Sequence, residues 1–451
     1  MNLEPKIAAE SAESPGGLFS LALLSVLAGA AVGLVGAVFR LSLDHADRWR
    51  DVLIERMHAD SFVGLFFFIA ICAAATGVAA WLVRRYSPQA SGSGIPQVEA
   101  VLSGELPRAQ YRLITVKAVY RLISVKFVGG VLAIGSGLAL GREGPIVQMG
   151  ASTAHLVGKL FRRHEDDCQM LLAAGAGAGL ATAFNAPIGG AVFVLEELVR
   201  RFDTRITIVT LGASAGAIAV ARVFLGDAPD FHVERIPYPS FGTVPVHLVL
   251  GVITGCLGVV YNRAILGTVT VADRFPRLPV ELRAALIGAV VGLIAWFAPG
   301  MVGGGDAITQ RTLSGAETGV MLSGVFLLRF GLGPLSYAAG TPGGLFAPIL
   351  VLGSQSGLLF ANVCYQWYPA AAANPTTLGI VGMAAFFTAV VRAPVTGIIL
   401  VIEMTASFTL LLPMLSACFA AMLIPNLLGN APIYDSLRER ILKKAGWSPA
   451  S

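Results

Sequence analysis

Gly141-Arg142-Glu143-Gly144-Pro145 opens an apolar run at Ile146. Proline suits the first turn of a helix, where its missing N–H would have no partner in any case. The stretch therefore predicts a helix N-terminus with Glu143 on it. Free N–H groups and the positive end of the helix dipole make such a terminus an anion site, which the Glu143 carboxylate could itself occupy. Simple capping of the helix by Glu143 is the plainer alternative. In the second half of the chain Gly343-Gly344-Leu345-Phe346-Ala347-Pro348 repeats the design. Its glycines permit close backbone approach, Pro348 again starts a helix, and the backbone N–H groups around Leu345 and Phe346 are the donors.

The likeness extends outward from these two motifs. A shift of about 203 residues pairs Lys126-Phe127 with Arg329-Phe330, Pro145 with Pro348 and Gly150 with Gly353. A shift of about 207 pairs Phe184-Asn185-Ala186-Pro187 with Val391-Arg392-Ala393-Pro394, Gly190 with Gly397 and Glu196 with Glu403. An ordered series that shares prolines and charges points to duplication. Repeats with interrupted apolar segments are the sequence pointer to secondary transporters, whose site lies where half-helices of the two repeats meet. The symmetry breaks where Glu143 faces Phe346 and Glu197 faces Met404.

The setting is a membrane. Of 451 residues, 55% are hydrophobic and 13% charged, with a mean hydropathy of +0.74; a soluble domain carries about 25% charge. That argues against a soluble enzyme. The net charge of +5 forms no dense basic stripe, so no nucleic-acid partner is expected. Leu18–Phe39, Ser61–Val83, Cys168–Leu195 and Ala284–Gly305 hold no charged residue, and each is long enough to cross a bilayer. Phe330–Val391 and Thr405–Tyr434 are also free of charge and must hold several segments broken by Gly and Pro.

This reading divides the chain into a tail (1–17), a first membrane repeat (18–226), a linker (227–245), a second repeat (246–434) and a tail (435–451). The first tail lacks the basic region and short apolar core of a signal peptide. The second carries Arg438, Arg440, Lys443 and Lys444, which the positive-inside rule places in the cytoplasm. No soluble regulatory domain is expected after it. The five cysteines and six histidines show no CxxC, HExxH or paired spacing, so neither metal nor cofactor is expected. Gly212-Ala213-Ser214-Ala215-Gly216 and Gly353-Ser354-Gln355-Ser356-Gly357 fit the nucleophile elbow of serine hydrolases. Both lie in apolar helical sequence and fit small-xxx-small packing equally well, which is preferred.

Gly92-Ser93-Gly94-Ile95-Pro96 is a third glycine-flanked turn before a proline. Ser93 presents a neutral hydroxyl, which can hold an ion without trapping it. Together Gly92–Pro96, Gly141–Pro145 and Gly344-Leu345-Phe346-Ala347-Pro348 resemble the CLC, or voltage-gated chloride channel, family, and within it the bacterial-type chloride/proton antiporters. Their signatures are G-S-G-I-P, G-[RK]-E-G-P and G-x-F-x-P, and the resemblance spans roughly Leu18 to Arg440.

The resemblance implies an all-α polytopic fold of two inverted helical repeats with broken helices. It implies a homodimer, formed through apolar helix faces in the inner (plasma) membrane, with both termini cytoplasmic and the lipid bilayer as its surroundings. Chloride and protons would be exchanged, with a passive proton-gated chloride channel as the alternative. Ser93, Tyr434 and the amides of Leu345 and Phe346 would hold the central anion, though a tyrosine near a membrane end can also be an interfacial anchor. Glu143 would be the gating glutamate that competes with chloride and passes protons outside. Glu197 would take protons from the cytoplasm, with Glu196 as scaffold. Lys126 would raise the potential along the anion path, with Glu99 as a partner, or else snorkel to water.

Overall fold

The computed structural model describes residues 15–58, 61–105, 116–316, 319–367 and 374–444. The tails read at 1–17 and 435–451 lie outside the described residues up to 14 and from 445. Among the described residues there are seventeen α-helices and no named strand. The first eight are α1 (Pro15–His58), α2 (Ser61–Tyr86), α3 (Ile95–Leu102), α4 (Val116–Gly135), α5 (Glu143–Leu160), α6 (Glu165–Phe184), α7 (Pro187–Phe193) and α8 (Thr204–Leu225). Their counterparts are α9 (Val244–Asp273), α10 (Val280–Phe297), α11 (Asp306–Leu313), α12 (Gly319–Tyr337), α13 (Phe346–Trp367), α14 (Pro375–Val391), α15 (Pro394–Thr405) and α16 (Leu411–Leu427). A further helix, α17 (Ile433–Lys444), follows.

The order of elements repeats and so does the packing. α1 lies on α8 as α9 lies on α16, and α5 on α6 as α13 on α14. Three pairs, α2 with α10, α5 with α13 and α7 with α15, pack an element on its own counterpart, which places them about the pseudo-two-fold axis of the inverted repeats. α6 and α14 both end on a left-handed residue, Asn185 and Arg392, and a proline starts the next helix one residue after an alanine in each case. These are the two ends of the FNAP/VRAP match.

Among the described residues, nine helices are long and apolar enough to cross a membrane. Their outward faces suit lipid: α2 exposes Phe62, Val63, Phe66 and Phe67. α13 differs, with 78% of its apolar window buried inside the molecule, so it runs through the centre. α3, α7 and α11 have eight, seven and eight residues, about 12 Å at the α-helical rise. They stop partway.

Two stretches read as single crossings are instead broken. Cys168–Leu195 divides at Asn185 into α6 and α7, and Ala284–Gly305 ends α10 at Phe297 and continues as a glycine loop. Lack of charge does not distinguish one span from two half-spans, because the bends are buried in protein rather than in lipid. Both G-x-S-x-G strings are mid-helix, in α8 and α13. A Cβ on Gly216 would meet Val26 of α1, and one on Gly357 would meet Leu378 of α14, so these glycines serve close helix approach.

Candidate anion and proton site

The three glycine motifs are stitched together by backbone. Gly141 N donates to Gly344 O at 2.9 Å and Gly344 N to Gly141 O at 2.7 Å. Gly92 N donates to Thr341 O at 3.0 Å and Gly343 N to Gly92 O at 3.1 Å. A Cβ on Gly144 would come within 2.6 Å of Ser93 Oγ and 2.9 Å of Gly344 Cα, so all three loops are in contact there. α3, α5 and α13 each begin at this junction. The start of α17 completes it, with the Tyr434 ring stacked on Phe346 at 5.9 Å. Phe346 also packs against Phe184, Phe193 and Phe387.

Glu143 is fully buried at the first position of α5. Its Oε1 accepts from Ala347 N at 3.2 Å, whereas Oε2 has no hydrogen-bond partner. The carboxylate thus lies across the N-terminus of the opposite repeat's helix, α13, with the amides of Phe346 and of Glu143 itself also close to it. Gly141 and Gly344 flank it, and a Cβ on either would strike the carboxylate. Leu345 and Phe346, also fully buried, supply amides from the end of α13 where N–H groups have no helical acceptor. Ser93 and Tyr434 are fully buried, and neither hydroxyl oxygen has a partner among the described residues. Both remain able to donate to an anion. The residue before Glu143 is clamped: Arg142 pairs with Asp306 at 2.9 Å and with Asp230 at 3.3 Å, and donates to Ala183 O at 3.1 Å.

Lys126 is fully buried, so it does not snorkel. Nor does it pair with Glu99, whose carboxylate oxygens have no hydrogen-bond partner. Its ammonium donates to Ala90 O at 3.1 Å and Gly92 O at 2.8 Å. Gln148 Nε2 takes Gln89 O and Gln97 Nε2 takes Ser91 O, both at 3.0 Å. Four successive carbonyls before Ser93 are therefore held by buried or half-buried side chains. The sequence misses this because the lysine's partners are backbone atoms brought close only by the fold. Arg329, its match in the second repeat, does the same to Gly303 O at 2.9 Å and Gly304 O at 3.3 Å. Gly303-Gly304-Gly305 thus parallels Gly92-Ser93-Gly94, and the flanking glycines of both have positive φ. Only one of these loops carries a hydroxyl.

α7 runs into a π-helical turn, Val194–Leu198, that separates the two adjacent glutamates. Glu196 accepts from Val395 N at 3.0 Å and Thr396 N at 2.7 Å, capping α15. Glu403 returns the arrangement, accepting from Ile188 N at 3.1 Å and Gly189 N at 2.7 Å at the start of α7. The pair is reciprocal scaffold. Glu197, only 4% exposed, turns elsewhere and borders a 510 Å³ cavity together with Glu99, Arg200 and Arg438. Arg200 and Asp435, which the motifs did not single out, form an ion pair at 2.8 Å beside it.

Broken helices of two inverted repeats that meet at a buried carboxylate define a class, the polytopic membrane proteins with secondary-transporter architecture. Within that class the chain belongs to the voltage gated chloride channel family, whose profile matches residues 75–426. It is 36% identical over 436 residues to the H(+)/Cl(-) exchange transporter ClcA of Vibrio cholerae serotype O1, covering 94% of this chain and 90% of that one. The ClcA of Cronobacter sakazakii is 36% identical over 438 residues, with the same coverage. Among solved structures, the crystal structure of a slow cyanobacterial Cl-/H+ antiporter superposes with a TM-score of 0.89 at 31% identity, covering 94% of this chain and 98% of that one.

Proposed function

We propose that this chain exchanges chloride for protons across the cell's inner membrane, with Glu143 as the group used by both ions. One observation carries the reading: a buried carboxylate takes the amide of Ala347 at the N-terminus of α13, a place suited to an anion. Ionised, Glu143 competes with chloride for that position; protonated, it loses the attraction and yields it. One group then serves chloride and proton in turn, and that alternation couples them. Ser93 and Tyr434 donate their hydroxyls to the central anion, and the amides of Leu345 and Phe346 complete its shell. Lys126 holds the carbonyls before Ser93 away from the ion.

Glu197 receives protons from the cytoplasmic side through its cavity, and its buried charge is the feature that favours exchange over passive conduction. The names of the ClcA relatives support the same reading. The two repeats (18–226 and 246–434) act as one pathway per subunit, two subunits pair through apolar helix faces, and the basic end of α17 lies in the cytoplasm with the N-terminus. The test is purified protein in liposomes with a chloride gradient, no initial pH gradient and the membrane potential clamped. Proton movement opposite to chloride is expected; chloride flux without it would make the protein a passive channel.

A further inference from the structure

Glu197 and Tyr434 stand on different elements, and one guanidinium joins Glu197 to Asp435, the residue after Tyr434. Arg200 has left-handed backbone (φ 53°) just after the π-helical turn, which brings its side chain back along that turn. Its Nε donates to Glu197 O at 3.2 Å. Its Nη2 lies 3.8 Å from Glu197 Oε1 and 2.8 Å from Asp435 Oδ1. Asp435 directly follows Tyr434 in the first turn of α17. Arg200 also lines both the 510 Å³ cavity and a second one of 340 Å³, and Glu197 borders each of them.

Other charged groups face these cavities: Glu99 from α3, Asp166 from α6, Glu196 on the same turn, Arg201 beside it, Arg392 after α14, and Asp435 and Arg438 on α17. Of the other cations, Arg201 and Arg392 are engaged elsewhere and Arg438 shares Asp435 with Arg200. Arg201 pairs with Asp203 at 2.8 Å, Arg438 with Asp435 at 3.4 Å and Glu105 at 3.5 Å, and Arg392 donates to Asn430 O at 2.9 Å. Among the described residues, Arg200 is the cation within ion-pair distance of Glu197.

We propose that Arg200 is a positioning residue that carries the charge state of Glu197 to the helix bearing Tyr434. The inference rests on the reading of Glu197 as the inner proton carrier. A guanidinium can serve two carboxylates with its planar fork of donors. While Glu197 is ionised, the cation is shared between it and Asp435. Once Glu197 takes a proton, the attraction on that side falls and Asp435 holds the guanidinium alone, drawing the first turn of α17 onto the π-helical turn. Tyr434 moves with that turn, so the hold on chloride changes. By linkage, chloride then alters the protonation of Glu197 by the same factor.

The test measures chloride affinity by calorimetry across pH in the full chain carrying E143Q, which removes the competing carboxylate. Exchange by the unmodified chain is measured first; if protons do not move against chloride, the underlying reading fails before any variant is made. Given exchange, chloride affinity of the E143Q protein should vary about fivefold with pH, at the low end of couplings between sites. Adding R200Q or D435N should each flatten that variation to less than about twofold. Combining them should flatten it no further, and R200K should preserve it.

The two single changes separate the alternatives by sign. If Arg200 acts only as a charge near Glu197, losing the cation raises the pH midpoint and losing Asp435 lowers it, with the amplitude intact. That pattern would overturn the proposal, as would a chloride affinity independent of pH in the E143Q protein.

Discussion

At Glu143 the competing demands on the site meet in one side chain. Its carboxylate takes the Ala347 amide at 3.2 Å, with the amides of Phe346 and of Glu143 itself close by, and Oε2 is left without a geometric hydrogen bond. Glu143→Gln should abolish proton coupling while sparing some chloride passage, read as proton and chloride fluxes in liposomes; surviving proton movement would remove Glu143 from its role. Glu197→Gln should stop proton transport and leave chloride, and loss of both would mark Glu197 as structural. Gly344→Ala puts a methyl group against the Glu143 carboxylate and should displace it, weakening coupling in the manner of Glu143→Gln. Glu143 and Ser93 could be singled out from the sequence because each sits in a short glycine-proline motif at a helix start, whereas Tyr434 was named through the family resemblance alone. Lys126 could be picked out too, but its partners could not, since backbone carbonyls carry no residue identity. Lys126→Met leaves Ala90 O without its donor while Gly92 O keeps Gly343 N, a loss of roughly 1 to 3 kcal/mol, which should appear as a lowered unfolding temperature in detergent.

Short helices set the geometry at the scale of elements. α3, α7 and α11 end partway because a proline or glycine turn starts each, and a serine-glycine turn follows α3 and α11 while a π-helical turn follows α7. At α7 and α15 the amides that open the helix are met by side chains of the opposite repeat. Glu196 on α15 and Glu403 on α7 show how: each acidic residue satisfies the amides that begin the counterpart helix. Glu196→Ala should therefore cost about 1 to 2 kcal/mol as a lost cap and leave the ratio of protons to chloride unchanged in the protein that folds. A changed ratio would give Glu196 a part in proton entry. The Gly and Pro breaks of the second half were readable in the long charge-free runs. The breaks at Asn185 and after Phe297 were not, because an apolar half-helix and half of a full span have the same composition.

For the whole molecule, duplication explains most of what is seen. The matches at shifts of about 203 and 207 residues fall on equivalent turns of α4 to α7 and α12 to α15, so the repeat was legible wherever charges and prolines mark the turns. The likeness of Gly92-Ser93-Gly94 to Gly303-Gly304-Gly305 was not, because glycine runs match by chance, and only the shared grip of Lys126 and Arg329 on the two loops establishes it. The halves differ at the positions to which the proposed function assigns its chemistry: a hydroxyl at Ser93 against Gly304, a carboxylate at Glu143 against Phe346, and another at Glu197 against Met404. On the proposed function, one carboxylate at the N-terminus of α13 and a second beside the 510 Å³ cavity should tie the two flows together in either direction. The most direct test imposes a pH gradient on reconstituted protein with equal chloride on both sides and the potential clamped. Chloride accumulating against its own gradient, on the side from which protons leave, is the result this account predicts. Chloride that stays level while the pH gradient persists, in vesicles that pass chloride readily down a gradient, would contradict it.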